Sequence, residues 1–219
     1  MTVIAIDGPA GAGKSTAARG VARALGWRYV DTGAMYRSVA LAARERGEAV
    51  DDGAALARVA RSLDFEATAP ETCSDASDVG ARLRDPSVTR TASRVASHPE
   101  VRAVLVERQR ALARHNDIVM EGRDIGTTVV PDAAIKIFLT AALEARAARR
   151  LRDLALPDDE DTRARVQAAL AARDEADSSR PTSPLMRAAD AMVIDTTNLG
   201  PDEVIARIVA AARARGVLA

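Results

Sequence analysis

The sequence predicts an α/β protein built on a parallel sheet, and three observations carry that prediction. A short, β-branched apolar run, TVIAI at 2–6, ends at a glycine-rich turn in the manner of a strand buried on both faces. A helical pattern follows it directly. The same alternation of short apolar runs and longer amphipathic ones then recurs along the chain, and strands separated by helices pair in parallel. At 219 residues the chain suits one such domain with a small insertion, and is long enough to bury a substantial core.

The elements follow in order. STAARGVARAL at 15–25 sets Ala18, Val21, Ala22 and Leu25 on one helical face, and Gly26 stops it. WRYV at 27–30 reads as a second strand, and 33–47 as a helix ending at Gly47. Another helix is expected over 51–63. Between Asp64 and Arg90 the pattern changes: FEAT, APET, CSDAS and DVGARLR read as short strands between turn residues, a small β insertion or simply a loop. Helices are predicted over 87–97 and 99–115, parted at Pro99. Strands resume at 117–122 and 133–139. Two charge-rich helices, at 143–156 and 161–176, flank the turn PDDE. A final strand at 191–197 and a helix at 201–216, with Pro201 near its start, close the chain.

Composition narrows the function classes. Basic and acidic residues balance at 31 each, which argues against a protein that coats nucleic acid or a membrane surface. With 2% aromatic residues there are few platforms on which bases could stack. Apart from Lys14 and Lys136 the cations are arginines, whose planar fork suits bidentate phosphate binding. Most of them would serve as solvated helix faces. A single cysteine, Cys73, excludes an internal disulfide framework and fits a reducing compartment. No leader-like segment opens the sequence and no apolar run nears the roughly 20 residues needed to span a bilayer, so a cytoplasmic location without membrane partner is expected.

The chemistry starts at GPAGAGKST, 8–16, where Gly8, Gly13, Lys14 and Ser15 match the G-x-x-x-x-G-K-[ST] phosphate loop between a predicted strand and a predicted helix. Gly8, Pro9, Ala10, Gly11, Ala12, Gly13, Lys14, Ser15 and Thr16 are thereby the candidate nucleotide-binding residues. Backbone N–H groups would cradle phosphate oxygens, Lys14 would neutralise β and γ charge, and Ser15 would offer its hydroxyl to Mg²⁺. A guanine-type NKxD motif is impossible, since the only other lysine lies in KIFL. Arginines recur at three further places: Arg37 in DTGAMYR; Arg123, with Asp124, in EGRDIGT at the end of a strand; and Arg173 and Arg180, with Asp177, in ARDEADSSR. Strand ends on one edge are where open α/β sheets bind ligands. In the last stretch, spacings of four and three would put the three residues on one helix face. Each arginine taken singly reads as a surface residue; their convergence raises the functional reading.

GPAGAGKST, DTGAMYR, EGRDIGTTVVPDA, KIFL and RDEADSSR, in this order, resemble the bacterial cytidylate kinase family, nucleoside monophosphate kinases of the P-loop kinase fold. The resemblance runs from about 3 to about 210 and is weakest from Asp64 to Arg90. It implies a central five-stranded parallel sheet flanked by helices, a small monophosphate-binding insertion and a mobile helical lid. The expected division is a single domain over 1–219, with a core at 1–36, 116–144 and 190–219, a monophosphate-binding region at 37–115 and a lid at 145–180. It implies transfer of the γ-phosphoryl group of ATP to CMP or dCMP with Mg²⁺, by a monomer that needs no nucleic acid. Carried over, the family pattern makes Arg37, Arg123, Arg173 and Arg180 the grip on the acceptor phosphate. Lys14, Arg123, Arg173 and Arg180 are then the catalytic set. Asp177 would meet the sugar hydroxyls, and Ser93, Arg102 and Asp124 the cytosine edge, with Ser97 one turn away as the rival of Ser93. Thr32 stands where the family often has serine.

Such a reaction requires little beyond positioning. The second pKa of a phosphate monoester is about 6, so the acceptor oxygen is already anionic at neutral pH and no general base is needed. His98 and His115 lie in no motif and are expected on the surface. Glu121 would either orient a metal-bound water or serve the structure. Two other readings stay open on the residues alone: a P-loop kinase for thymidylate or a hydroxylated metabolite, with Asp7 or Asp31 as the orienting carboxylate, and an ATP-dependent nucleic-acid-binding module.

Overall fold

A computed structural model describes residues 1–65 and 78–217. Five strands form one sheet in the order β2-β3-β1-β4-β5: β1 (Val3–Asp7), β2 (Arg28–Asp31), β3 (Ile118–Glu121), β4 (Ile135–Thr140) and β5 (Met192–Asp195). Every pairing is parallel, with Ile6 opposite Glu121, Asp7 opposite Phe138, and Asp31 opposite Glu121. Alternation along β1 shows why its apolar run is unbroken. Val3 and Ala5 enter one core and Ile4 and Ile6 the other, so both faces are covered.

The first core is closed by helices α2 (Thr32–Glu45), α3 (Gly53–Ser62), α5 (Pro86–Val95) and α6 (Pro99–His115). The second is closed by α1 (Lys14–Leu25) and α9 (Pro201–Ala214). Burying each Ile of β1 contributes roughly 1.5–3 kcal/mol. The chain passes from β1 to β2 on one side and from β3 to β4 on the other. This reversal opens a crevice at the carboxyl ends of the strands, where Asp7, Asp31 and Glu121 stand together.

Local sequence explains the turns into that crevice. Gly8 has φ +147°, and a Cβ there would sit 2.1 Å from the Leu139 carbonyl oxygen, so β1 can meet β4 and turn only without a side chain. Gly13, at φ +88°, starts α1 from a left-handed conformation. Asp31 caps α2 by accepting from Ala34 N–H at 2.9 Å. The helices α7 (Leu143–Asp153) and α8 (Glu160–Ser178) pack on each other and touch the phosphate loop through a small apolar cluster of Ala10, Ala147 and Leu170.

Three expectations are corrected. DVGARLR is neither strand nor loop: α4 (Asp78–Arg84) is helical, anchored by buried Leu83. The helix yields to α5 at Asp85, which accepts from Ser87 N–H at 2.7 Å. His98 is half-buried, its Nε2 2.9 Å from Val50 O, where it ties the approach to α3 to the start of α6. His115 is exposed as expected. Arg180 does not share the helix of Arg173 and Asp177, because α8 ends at Ser178. The proposed strands FEAT, APET and CSDAS fall, apart from Phe65, outside the described residues, as does Cys73. Among the described residues no helix is long and apolar enough to cross a membrane.

Candidate active site

Two cavities share the phosphate loop. The outer one, about 870 Å³, runs along the loop from Ala10 to Ala17, over the start of α9 and against α7. The inner one, about 190 Å³, lies on the far side of Lys14 and is bounded by α2, α5, α6, the end of β3 and the end of α8. Ala10, Gly11, Lys14, Ser15 and Arg173 border both.

Lys14 occupies the seam. Its Nζ donates to Pro9 O at 2.7 Å, bending the side chain back over its own loop. Burial pushes its pKa down to about 7, with Arg123 and Arg173 adding repulsion and Glu121 and Asp7 opposing it. Glu121 ends β3 directly opposite; it accepts from Tyr29 Oη at 2.5 Å and lies within reach of the Ser15 hydroxyl. Burial, then the Asp31 charge, holds Glu121 above the usual carboxylate range, and Lys14 pulls against that. One carboxylate thus meets both a core tyrosine and the phosphate loop.

Asp7 is committed to structure. Its Oδ1 accepts from Ile125 N–H at 2.9 Å and its Oδ2 from Gly126 N–H at 2.8 Å. These amides begin a short π-helical turn, Ile125–Val129, that was not predicted and that closes on the carbonyl of Asp124. Burial raises Asp7 to about 6 despite the two amides. Asp31 is likewise engaged, accepting from Arg37 Nη2 at 2.7 Å. Burial alone would raise it, but the Arg37 charge and the Ala34 N–H hold it low. Both carboxylates are thus held by the protein, Asp7 by two backbone amides and Asp31 by Arg37 and the Ala34 N–H.

All nine predicted acceptor-side residues line the inner cavity: Thr32, Arg37, Ser93, Arg102, Arg123, Asp124, Arg173, Asp177 and Arg180. Thr32 Oγ1 donates to Glu121 O at 2.7 Å, which leaves its hydroxyl only acceptor capacity for a ligand. Ser93 lines the cavity, whereas Ser97 is exposed and donates to Arg94 O. Arg102 and Asp124 form a buried ion pair, and Arg102 stacks 5.7 Å from the Tyr36 ring centroid. Arg123 Nε donates to Asp177 Oδ2 at 2.8 Å, and Arg180 Nε to Asp177 O at 3.2 Å. Burial and then the Arg123 charge lower Arg173 to about 10.

Charge and unmet donors define what fits. Six cations line the inner cavity, Lys14, Arg37, Arg102, Arg123, Arg173 and Arg180, against the carboxylates Asp31, Glu121, Asp124 and Asp177. The formal excess of two positive charges suits a phosphate monoester at about −1.5 to −2. Among the described residues, Arg37 Nε, Arg102 Nε, Arg173 Nε and Arg180 Nη2 are buried without a hydrogen-bond partner. Unmet buried donors are costly, and here they accompany an excess of positive charge at one cavity, which suits an anionic ligand.

Sequence reasoning missed Tyr36, beneath Arg102, and two arginines of α7. Arg146 is buried and bonds Ala10 O, and Arg149 Nη1 donates to Thr196 Oγ1 at 2.9 Å beside the outer cavity. Both sit among charges that read as a solvated helix face, so no local signal singles them out.

The chain's sequence matches the family model described as Cytidylate kinase over residues 4–214. Curated relatives under that name agree. One from Desulfitobacterium hafniense is 48% identical over 208 residues, covering 94% of this chain and 90% of its own. One from Caldanaerobacter subterraneus is 44% identical over 210 residues, covering 96% and 94%. One from Streptomyces avermitilis is 47% identical over 213 residues, covering 94% and 90%. With matches along nearly its full length, on a sheet whose crevice gathers a phosphate loop and a ring of arginines, the chain belongs to the cytidylate kinase family.

Proposed function

We propose that ATP occupies the outer cavity and CMP or dCMP the inner one, with the γ-phosphoryl group crossing the seam at Lys14. As a cytidylate kinase the chain is a phosphotransferase that moves this group from ATP to CMP. The observation that carries the assignment of sides is the gathering of six cationic side chains against four carboxylates around the inner cavity. A phosphate monoester satisfies such donors, and the loop's backbone amides are the natural seat of a triphosphate.

The residues then take roles. Arg37, Arg123, Arg173 and Arg180 hold the acceptor phosphate, and Asp177 meets the sugar. Asp124 accepts from the exocyclic amino group of cytosine while Arg102 donates to its ring acceptors, and Ser93 lies on the same wall. Uracil presents a carbonyl where cytosine has that amino group, so it would set an oxygen against the Asp124 carboxylate. Lys14 leaves Pro9 O for the migrating phosphoryl group. The arginines and Lys14 offset repulsion between two polyanions and align them in line.

The Ser15 hydroxyl, next to the Glu121 carboxylate, fits a Mg²⁺ ion carried in on ATP, which Ser15 would ligate and Glu121 would support from nearby. When bound, the metal would neutralise charge on the β- and γ-phosphates. Helices α7 and α8 serve as the lid, about 145–180, and residues 37–115 as the monophosphate-binding region. Closure of the lid excludes water and adds Arg173 and Arg180 to the clamp.

The test is an acceptor scan with Mg-ATP and each common nucleoside monophosphate, reading the diphosphate formed. Conversion of CMP and dCMP, with UMP poorer and AMP negligible, is expected. Equal turnover of AMP would sink the proposal.

A further inference from the structure

A second group of polar contacts between lid and loop plays no part in these assignments, and it converges on the backbone of a single residue, Ala10. Ala10 N–H donates to Asp174 Oδ1 at 3.1 Å, and Ala10 O accepts from Arg146 Nη1 at 3.1 Å. Arg146 also pairs with Asp174 Oδ2, and its Nε donates to Ala141 O at 3.1 Å. Arg146 is 8% exposed, an unusual degree of burial for an arginine. The apolar cluster of Ala10, Ala147 and Leu170 lies alongside. One loop residue is therefore gripped at both its donor and its acceptor, by one residue from each lid helix.

Asp174 is adjacent to Arg173, the one lid residue that borders both cavities. Successive residues of an α-helix differ by 1.5 Å in rise, so fixing Asp174 against the loop fixes the backbone of Arg173 to that scale. The Arg173 guanidinium needs such support. Its Nε has no partner among the described residues, and the nearby Arg123 charge repels it. We propose that Arg146 and Asp174 are positioning residues that latch α8 to the backbone of Ala10 and so hold Arg173 at the seam where the phosphoryl group passes. The inference rests on the assignment of ATP and CMP to the two cavities. Neither latch residue touches the reacting atoms. Their effect travels through the loop peptide and through Arg173, so it belongs to turnover and not to the affinity of either substrate.

The experiment uses the full-length protein and the variants Asp174→Ala, Asp174→Asn, Arg146→Met and the double Arg146→Met/Asp174→Ala, with kcat and both KM values measured and the fold checked by thermal melting. For Asp174→Ala and Arg146→Met we expect kcat to fall at least about 10-fold while the KM values for CMP and ATP move less than about 3-fold. Asp174→Asn keeps the shape and an acceptor for Ala10 N–H, and should retain more activity than the alanine variant. It also keeps the test decisive if the alanine variant does not fold. The double variant should be no slower than the slower single one, because the two side chains act as one unit. A kcat within about twofold of wild type in folded Asp174→Ala and Arg146→Met would overturn the latch, as would a rise in KM at unchanged kcat or losses that multiply in the double variant. Those outcomes, with a wild type active on CMP, break the latch alone. A wild type that forms no diphosphate from CMP breaks the cavity assignment instead.

Discussion

The outer and inner cavities are built in opposite ways. The outer one follows a single backbone stretch, Ala10 to Ala17, entered and turned by three glycines of positive φ (Gly8, Gly11 and Gly13), with side chains of α7 and the start of α9 as its far wall. The inner one rests on side chains drawn from α2, α5, α6, the end of β3 and the end of α8. A backbone site needs only local conformation and accepts any nucleoside triphosphate of the right charge. A side-chain site needs the whole fold and can discriminate among acceptors. Under the proposed assignment, generic donor binding and acceptor specificity fall to different physical means, and Lys14 and Arg173 border both cavities.

The sharpest way to break this comparison is at the boundary. Lys14→Ala should lower kcat by about 10²–10³-fold, the scale of removing one charge-stabilising donor, while CMP affinity without ATP stays near normal. Steady-state rates beside CMP titrations check it. Near-normal turnover in a folded variant would contradict the seam.

A smaller effect is expected inside the side-chain site. Asp124→Asn keeps the shape but presents an amide where the proposal sets a carboxylate against the cytosine amino group, and leaves Arg102 short of its buried charged partner. The CMP/UMP ratio of kcat/KM should fall by about 5- to 150-fold, the equivalent of roughly 1–3 kcal/mol for a buried polar group left unpaired. An unchanged ratio would mean that the base is read elsewhere.

The smallest effect concerns Asp7, where β1 turns into the loop and its carboxylate holds the turn behind Asp124. Its pKa rises from 3.8 to about 6, mainly through burial. Between those values the native state binds more protons than the unfolded one, so this group's contribution is complete below about pH 4 and lost as pH rises through about 6. The slope is at most about 1.4 kcal/mol per pH unit. Urea midpoints from about pH 4 to 6.5 test it. The wild-type advantage over Asp7→Asn should shrink as pH rises, and a constant difference would contradict the assignment.

What could be read in advance follows the same division. Helix α6 runs from Pro99 to His115, as its apolar period and starting proline indicate, and the loop motif announced its strand and helix. The π-helical turn at Ile125–Val129 is five residues long and held by Asp7, far away in the chain, so no local period could reveal it. Arg37, Arg123, Arg173 and Arg180 stand out by strand-end position and helical spacing, but the expected role on the acceptor phosphate comes from family resemblance, since nothing local distinguishes Arg123 from a solvated arginine. Arg146 and Asp174 show the limit. Both look like ordinary charges of amphipathic helices, and only the packing of α7 and α8 against Ala10 gives them a task.

The central claim, that CMP and ATP occupy separate sites held by different means, is tested most directly by two titrations of one variant. Arg37 lines the inner cavity alone, so Arg37→Ala should weaken binary CMP binding at least about 10-fold by calorimetry, the loss of a charge-assisted contact, while the affinity for ATP alone stays within about twofold. Equal losses for both nucleotides, or normal CMP binding, would contradict the division.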